Sequence, residues 1–442
     1  MSQPPSAPPP PPAPPQGEVS PVPAGERVDT LDVLRGFALL GILLVNVELF
    51  RGADLYRLLA GEALDTSPAD DVAQFLGGWL VSGKFLSSFA LLFGVGAAII
   101  GGRVLSRGRS PRGLLARRYG WLLVFGLAHM FLLFSGDILF LYGLAGLLLL
   151  PFVFLPPRTL LWWAAGIVAV YVALMLGFGA MGMAAGAAGV EADGGTTGFE
   201  AQFEEFFGER RDAAIDAYTA GGLGDQLRAR AWEVALFQTS QLLLVPWVTA
   251  LFLVGFAVGK AGVVGDLAGN RGLLRRTATV GIGVGLVLNL PLGFAGTVGA
   301  AAGPDAQVDG WLLLAAPVAQ MAGAPLLAAG YLSALALLCQ RAGVLRLLRP
   351  LRDTGRMALT GYVLQSVLAT GFFVWLGYYE RLSSAEALAV VAGIWAVVLT
   401  TCVLWQRRSA RGPLEWLWRR LTYGSGGLAA ETGAAGQGER SR

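Results

Sequence analysis

The sequence predicts an all-α, polytopic membrane helical bundle of about ten transmembrane helices. Three observations predict it. Only 14% of the 442 residues are charged and 55% are hydrophobic, with a mean hydropathy of +0.59, whereas a soluble domain carries about 25% charged residues. Apolar runs of roughly 20 residues, the length that crosses a hydrocarbon core of ~30 Å, recur along the chain. Arginines crowd every second loop between those runs.

The elements follow in chain order. Residues 1–26, MSQPPSAPPPPPAPPQGEVSPVPAGE, form a Pro-rich tail read as disordered, without the basic start and apolar core of a cleavable signal peptide. Residues 27–184 form an N-terminal membrane half with spans at 31–50, 85–102, 119–134, 138–155 and 160–184. An apolar stretch at 72–81 reads as an interfacial helix leading into the second span. Residues 185–241 form a long loop whose second part reads as amphipathic helices, with Phe203, Phe206 and Phe207 on one face. That loop either packs as a cap on the bundle and headgroups or forms a lid over an outward-facing site. Residues 242–423 form the C-terminal half, with spans at 242–262, 280–299, 311–339, 357–378 and 385–405. The tail at 424–442 is Gly, Ala and charge, and reads as disordered.

Arginine placement sets the orientation. Arg103, Arg107, Arg109, Arg112, Arg117 and Arg118 follow the second span; Arg271, Arg275 and Arg276 follow the sixth. Arg341, Arg346, Arg349, Arg352 and Arg356 follow the eighth, and Arg407, Arg408 and Arg411 follow the tenth. These alternate with loops holding Asp54, Glu62, Asp65, Asp70 and Asp71, and then Asp305 and Asp309. An even number of spans with both termini cytoplasmic satisfies every loop, which puts the 185–241 loop outside.

The basic residues number 33 against 30 acidic ones and sit in short loops, so they mark orientation and not nucleic-acid binding. Cys339 and Cys402 both lie in or beside apolar runs, with no zinc-ligand spacing, so neither a disulfide framework nor a metal site is expected. No P-loop, dinucleotide fingerprint, nucleophile elbow or HExxH is present, and no tightly bound cofactor is expected.

Polar residues inside apolar helices are the candidates for chemistry, because charge at membrane depth is costly. Asp32 and Arg35 are three residues apart on one face, and Asn46, eleven beyond Arg35, returns to it. They form a stripe facing the bundle interior; otherwise Asp32 and Arg35 anchor the interface, and Asn46 joins helices. In the third span His129 follows Arg118 by eleven residues on one face, about 16 Å along the axis. His129 lies near the SGD turn of Asp137. The only histidine of the chain, beside a carboxylate, is a candidate general base, since imidazoles exchange protons near neutrality. Its other reading is an interhelical hydrogen bond, and that of Asp137 is a helix cap. Lys84 either snorkels to headgroups or enters the site near His129. Gln365 and Asn289 are further intramembrane polar groups.

These stretches resemble the YeiB-like membrane proteins of bacteria, which carry a C-terminal domain of unknown function. The resemblance rests on RVDTLDVLRGFALLGILLVN, GKFLSSFALLFGVG, RRYGWLLVFGLAHMFLLFSGDILFLYGLAG, and GRMALTGYVLQS with GPLEWLWRRLTYG, which together run from Arg27 to Gly424. That group in turn looks like a distant relative of transmembrane acyltransferases of the heparan-glucosaminide and acyltransferase-three types. LDVLRG is similar to their first-span motif, and Arg118 with His129 is similar to the arginine–histidine motif of the second type. The heparan type places a catalytic histidine after the first span, where this chain has none.

The resemblance implies a multi-pass protein of the bacterial cell membrane acting as an acyltransferase. Arg35 and Arg118 would attract a cytoplasmic acyl-CoA, His129 would deprotonate the acceptor, and Asp137 would orient the imidazole. Asp32, Asn46, Lys84 and Gln365 would complete the substrate-binding set. The acceptor would be an envelope glycan, a lipid or a secreted metabolite. The alternative is a transporter or exporter of a small molecule without covalent chemistry.

Overall fold

The computed structural model describes residues 29–60, 62, 64–187, 195–301 and 310–424. Every regular element among them is helical. In order these are α1 (Asp29–Arg51), α2 (Asp54–Leu59), α3 (Pro68–Leu76), α4 (Lys84–Ser106), α5 (Arg112–Leu132), α6 (Leu139–Leu148) and α7 (Pro157–Ala187). Next come α8 (Gly195–Thr219), α9 (Leu223–Leu243), α10 (Val245–Lys260), α11 (Arg271–Leu288), α12 (Leu290–Ala301) and α13 (Gly310–Val318). The chain continues through α14 (Ala324–Cys339), α15 (Ala342–Leu347), α16 (Arg349–Arg356), α17 (Ala358–Thr370), α18 (Ser384–Gln406) and α19 (Pro413–Tyr423). Single π-helical turns at Gly77–Val81, Ala319–Gly323 and Gly371–Trp375 interrupt three of the apolar stretches.

Seven of these stretches are long and apolar enough to cross a bilayer, and α9 with α10, bent by 54°, makes an eighth. The two remaining spans of the expected ten are α5, which opens with Arg112, Arg117 and Arg118, and the short hairpin partner Leu139–Phe152. α5 buries one face, with Leu115, Tyr119, Leu122, Gly126, His129 and Met130, and leaves Val124, Leu127, Phe131 and Leu132 exposed on the other. The 72–81 stretch is helical and leads into α4: α3 and its π-turn run on to α4 through a break at Ser82 and Gly83, within one apolar segment, Pro68–Ser106. The two tails outside 29–424, together with Asp305 and Asp309, lie outside the described residues.

Small residues let the helices approach closely, as membrane bundles without a strong hydrophobic drive require. The tightest crossing joins α1 to α16. A Cβ built on Gly355 would stand 1.7 Å from the Asp32 carbonyl oxygen, and one on Gly36 would stand 2.0 Å from the Leu351 oxygen. The α4–α10 crossing is similar, with Gly94 against the Phe252 carbonyl and Gly255 against that of Leu91.

The arginine-rich ends gather at one end of the bundle. There Arg352 and Arg356 bind Asp29 at 3.2 and 2.7 Å, and Lys260 donates to the Val153 and Leu155 carbonyls. The α8–α9 hairpin covers the opposite end. Phe207, Ala214 and Tyr218 pack there on Ala53, Tyr56 and Tyr379. Phe206 does not share that face: it is exposed, with the Arg210 guanidinium 5.3 Å from its ring, because neighbouring helical residues diverge by about 100°. The Phe203 side chain lies outside the described residues.

Candidate functional site

The turn between α5 and α6 positions the central pair. His129 is in the last turn of α5, and Asp137 precedes α6 and caps it, accepting from the Phe140 N–H at 2.8 Å. The other carboxylate oxygen of Asp137 is 2.8 Å from His129 Nδ1. Asp137 therefore caps α6 and contacts the imidazole at the same time. On the far side of the ring, His129 Nε2 is 2.9 Å from the Ser366 hydroxyl of α17. Tyr362, one turn before Ser366, packs against the imidazole with ring centroids 4.8 Å apart and planes tilted by 39°, and its hydroxyl reaches Asp137 at 3.4 Å.

The outer hairpin holds this turn in place. Arg230 of α9 donates to the Leu132 carbonyl at 2.7 Å, and Gln238 donates to that of Ser135 at 3.1 Å. Thr370 of α17 adds a bond to the Leu133 carbonyl at 3.1 Å. Carbonyls freed where α5 ends are thus taken up by side chains from two other helices, as a buried helix terminus demands.

From the basic end a cavity of about 470 Å³ opens between α1, α4, α10, α16 and α19. It adjoins a second, deeper cavity of about 200 Å³. The two share Arg35, Arg118, Arg356, Glu415 and Trp418 as walls. The deeper one extends along α5 and α6 to Ile138, Tyr142 and Tyr362. Six arginines (Arg35, Arg103, Arg118, Arg356, Arg411 and Arg419) face Asp32 and Glu415 across this space, so its field favours anions. His129 itself is only 4% exposed, and neither it nor Ser366 lines the cavity. Tyr362 is the wall between the two.

Each arginine is held differently. Arg35 is paired with Asp32 at 3.0 Å, and Arg356 grips the other oxygen of Asp32 at 3.3 Å. Arg118 has no carboxylate partner among the described residues; its guanidinium lies 3.6 Å above the Trp418 ring, whose indole N–H donates to the Arg118 carbonyl at 2.9 Å. A guanidinium clamped by an aromatic face keeps its donors for a ligand. Glu415 caps α17, accepting from the N–H groups of Leu359 and Thr360 at 2.6 and 3.0 Å and from the Thr360 hydroxyl. Burial pushes its carboxyl up from the ordinary glutamate range.

Not every expected residue joins this site. Lys84 is fully buried and donates to the Gly78 carbonyl at 2.7 Å, so it neither snorkels nor reaches His129. The closing of the π-turn over the start of α4 leaves its amine that acceptor and no path outward. Gln365 bridges α17 to the Leu39 carbonyl of α1 at 3.3 Å and does not line the cavity. Asn46 lies toward the far end of α1 from the Asp32–Arg35 pair and likewise lines neither cavity. The stripe thus divides: its first two members face the basic cavity and the third does not. Sequence reasoning missed Ser366, Tyr362, Arg356, Glu415 and Trp418 as parts of one site. The available signal was a tyrosine and a serine at i and i+4 on a mostly apolar helix.

Among the described residues, no cluster of His, Cys, Asp or Glu could hold a metal ion.

Comparison with known proteins finds one family model over part of the chain and relatives over nearly all of it. Residues 258–425 match the family described as "Protein of unknown function (DUF418)". The chain is 29% identical to YxaH of Bacillus subtilis (strain 168) over 427 residues, covering 92% of this chain and 96% of that protein. It is 29% identical to YeiB of Escherichia coli (strain K12) over 417 residues, covering 91% and 98%. Both relatives are described as uncharacterized. No solved structure matches the chain.

Proposed function

We propose that this chain, a YeiB-like multi-pass membrane protein, transfers an acyl group from a donor bound at its arginine-rich end to an acceptor entering from the opposite face. The observation that carries the reading is the arrangement of a basic cavity whose inner wall, Tyr362, backs directly onto a buried Asp137–His129–hydroxyl chain. Acyl-CoA fits the basic mouth by its chemistry. Its phosphates meet Arg118, Arg35 and Arg356, and its thioester arm is long and slender enough for the narrow deeper cavity. From Arg118 to the level of His129 is about 16 Å along α5.

His129 has the chemistry of a general base, with Asp137 fixing its tautomer so that the ring nitrogen distal to the carboxylate accepts a proton. The acceptor is a hydroxyl or amine of an envelope glycan, a lipid or a secreted metabolite. The arginine-rich end and both termini are cytoplasmic in this reading, following the positive-inside rule, and the bilayer is the cell membrane.

The test is acyl transfer by a deletion strain complemented with variants. General-base catalysis contributes roughly 10²–10⁴-fold, so His129→Gln should nearly abolish transfer while leaving expression intact. An interhelical hydrogen bond in a membrane averages only ~0.6 kcal/mol, so a bridging histidine would tolerate Gln. Full complementation by His129→Gln would sink the reading. It would shift weight to small-molecule transport, which the 54° break between α9 and α10 favours.

A further inference from the structure

The acyl-transfer reading leaves the Ser366 hydroxyl without a role, and its hydrogen bonding sets it apart. Five buried hydroxyls on helices among the described residues bond back to the carbonyl four residues earlier, while Thr370 reaches another helix instead. Ser87, Ser88, Thr249, Thr354 and Thr422 make the local bond at 2.6, 2.9, 2.8, 2.9 and 2.7 Å. Ser366 is equally buried, yet its distance to the Tyr362 carbonyl is 3.4 Å, and it sits instead 2.9 Å from His129 Nε2. The hydroxyl keeps only a long local bond and makes its shorter contact to the imidazole.

An ionised Asp137 gives that bond its direction. Asp137 accepts from the Phe140 N–H with one oxygen and faces His129 Nδ1 with the other. With the proton on Nδ1, Nε2 is an acceptor, and Ser366 donates to it. Serine, histidine and aspartate in this order, at 2.9 and 2.8 Å, form the arrangement that activates a hydroxyl for attack.

We propose that Ser366 is a nucleophile that carries the acyl group as an ester between donor and acceptor; this rests on the acyl-transfer reading. In the first step Ser366 Oγ attacks the thioester carbonyl while its proton passes to His129 Nε2. The C–S bond breaks, and the departing thiolate takes the proton from Nε2. In the second step an acceptor hydroxyl or amine gives its proton to Nε2 and attacks the ester carbonyl. The C–Oγ bond breaks, and Ser366 Oγ recovers the proton. No electrons are exchanged with any other group.

Access to Ser366 runs past Tyr362. That ring lines the deeper cavity one helical turn, about 5.4 Å, from Ser366. The hydroxyl of Tyr362 is loosely held, at 3.4 Å both from the Ile138 N–H and from Asp137. Rotation of this side chain opens the wall and leaves a phenol O–H beside the carbonyl under attack, where an oxyanion develops. A covalent relay also answers a geometric problem. Donor and acceptor approach from opposite ends of the bundle, and an ester on Ser366 lets them react in turn without meeting.

The experiment uses the full chain in lipid nanodiscs, with acetyl-CoA and octanoyl-CoA as probes, read by thiol release and by peptide mass. Wild type should release a burst of about one thiol per chain and carry one acyl group on the peptide containing Ser366. Asp137→Asn should slow acylation roughly 100-fold without moving the adduct. Ser366→Cys should give a thioester that neutral hydroxylamine removes, which decides the matter even if Ser366→Ala folds poorly. Wild type turning over either donor with no adduct on Ser366 would overturn the proposal. So would Ser366→Ala working at the wild-type rate while His129→Gln is inactive, a result that leaves direct transfer standing. Wild type showing neither thiol release nor adduct with both probes would remove the relay and the acyl-transfer reading together.

Discussion

Adding one methyl group at Gly355 should loosen the basic end of the bundle. The new Cβ would meet the Asp32 carbonyl oxygen at 1.7 Å, and ordinary contact begins at 3.4 Å. The atom in the way is helix backbone, also flanked by the Gly36 N–H at 2.8 Å, so no side chain can swing aside. The α1–α16 crossing must therefore part by about 1.7 Å, a typical overpacking event costing ~1–3 kcal/mol. A retreat of that size takes Arg356 out of hydrogen-bond reach of Asp29 and Asp32, now 2.7 and 3.3 Å away. Those pairs are partly exposed, so their loss adds about 1 kcal/mol or less. A total of roughly 1–4 kcal/mol, set against an unfolding entropy of ~2.1 cal/mol/K per residue, corresponds to a fall in Tm of about 1–4 °C for a chain of 442 residues. Cys339 and Cys402 are both buried, so a thiol-reactive fluorophore reports the melt directly. Gly120→Ala, where a Cβ meets nothing within 4 Å, is the control and should leave Tm unchanged. A Gly355→Ala protein melting with wild type would refute the close-crossing account of this end.

Further outcomes follow from the same geometry. Arg118→Ala should weaken acyl-CoA binding by ~1.5–3 kcal/mol, measured by calorimetry, with span insertion unchanged. Trp418→Ala should also weaken it, because the guanidinium loses the ring 3.6 Å away that orients it. Glu415→Ala should lower Tm, as loss of an N-terminal cap costs about 0.5–2 kcal/mol. Reporter fusions after Arg109, Arg276 and Arg349 should read on one side of the membrane, and fusions within α8 on the other.

What was legible in the sequence were the short-range relations. The helical runs were visible because their length and composition are set locally by the bilayer. His129 and Asp137 could be paired because eight residues and a tight turn separate them. The grouping of arginine-rich ends followed from alternation along the chain, and the structure gathers those ends together. Ser366 lies 237 residues from His129, and no spacing rule links positions brought together only by tertiary packing. Glu415 and Trp418 were quoted as parts of one string, yet their partners lie on α17 and α5. Lys84 was misplaced for a similar reason. Its acceptor is a carbonyl that a π-turn presents, and such a turn has no reliable signature in single residues.

The position of α19 gives the chain a temporal property. Its Trp418 and Glu415 wall both cavities, yet it follows every membrane-spanning helix among the described residues. A ribosome must finish α18 before that wall can arrive, so Arg118 enters the bilayer with the aromatic face that shields it still unsynthesised. The nascent protein accordingly holds a bare cation at the edge of the lipid until α19 folds back. Synthesis halted after Gln406 would insert every span and still leave the basic chamber open along one side.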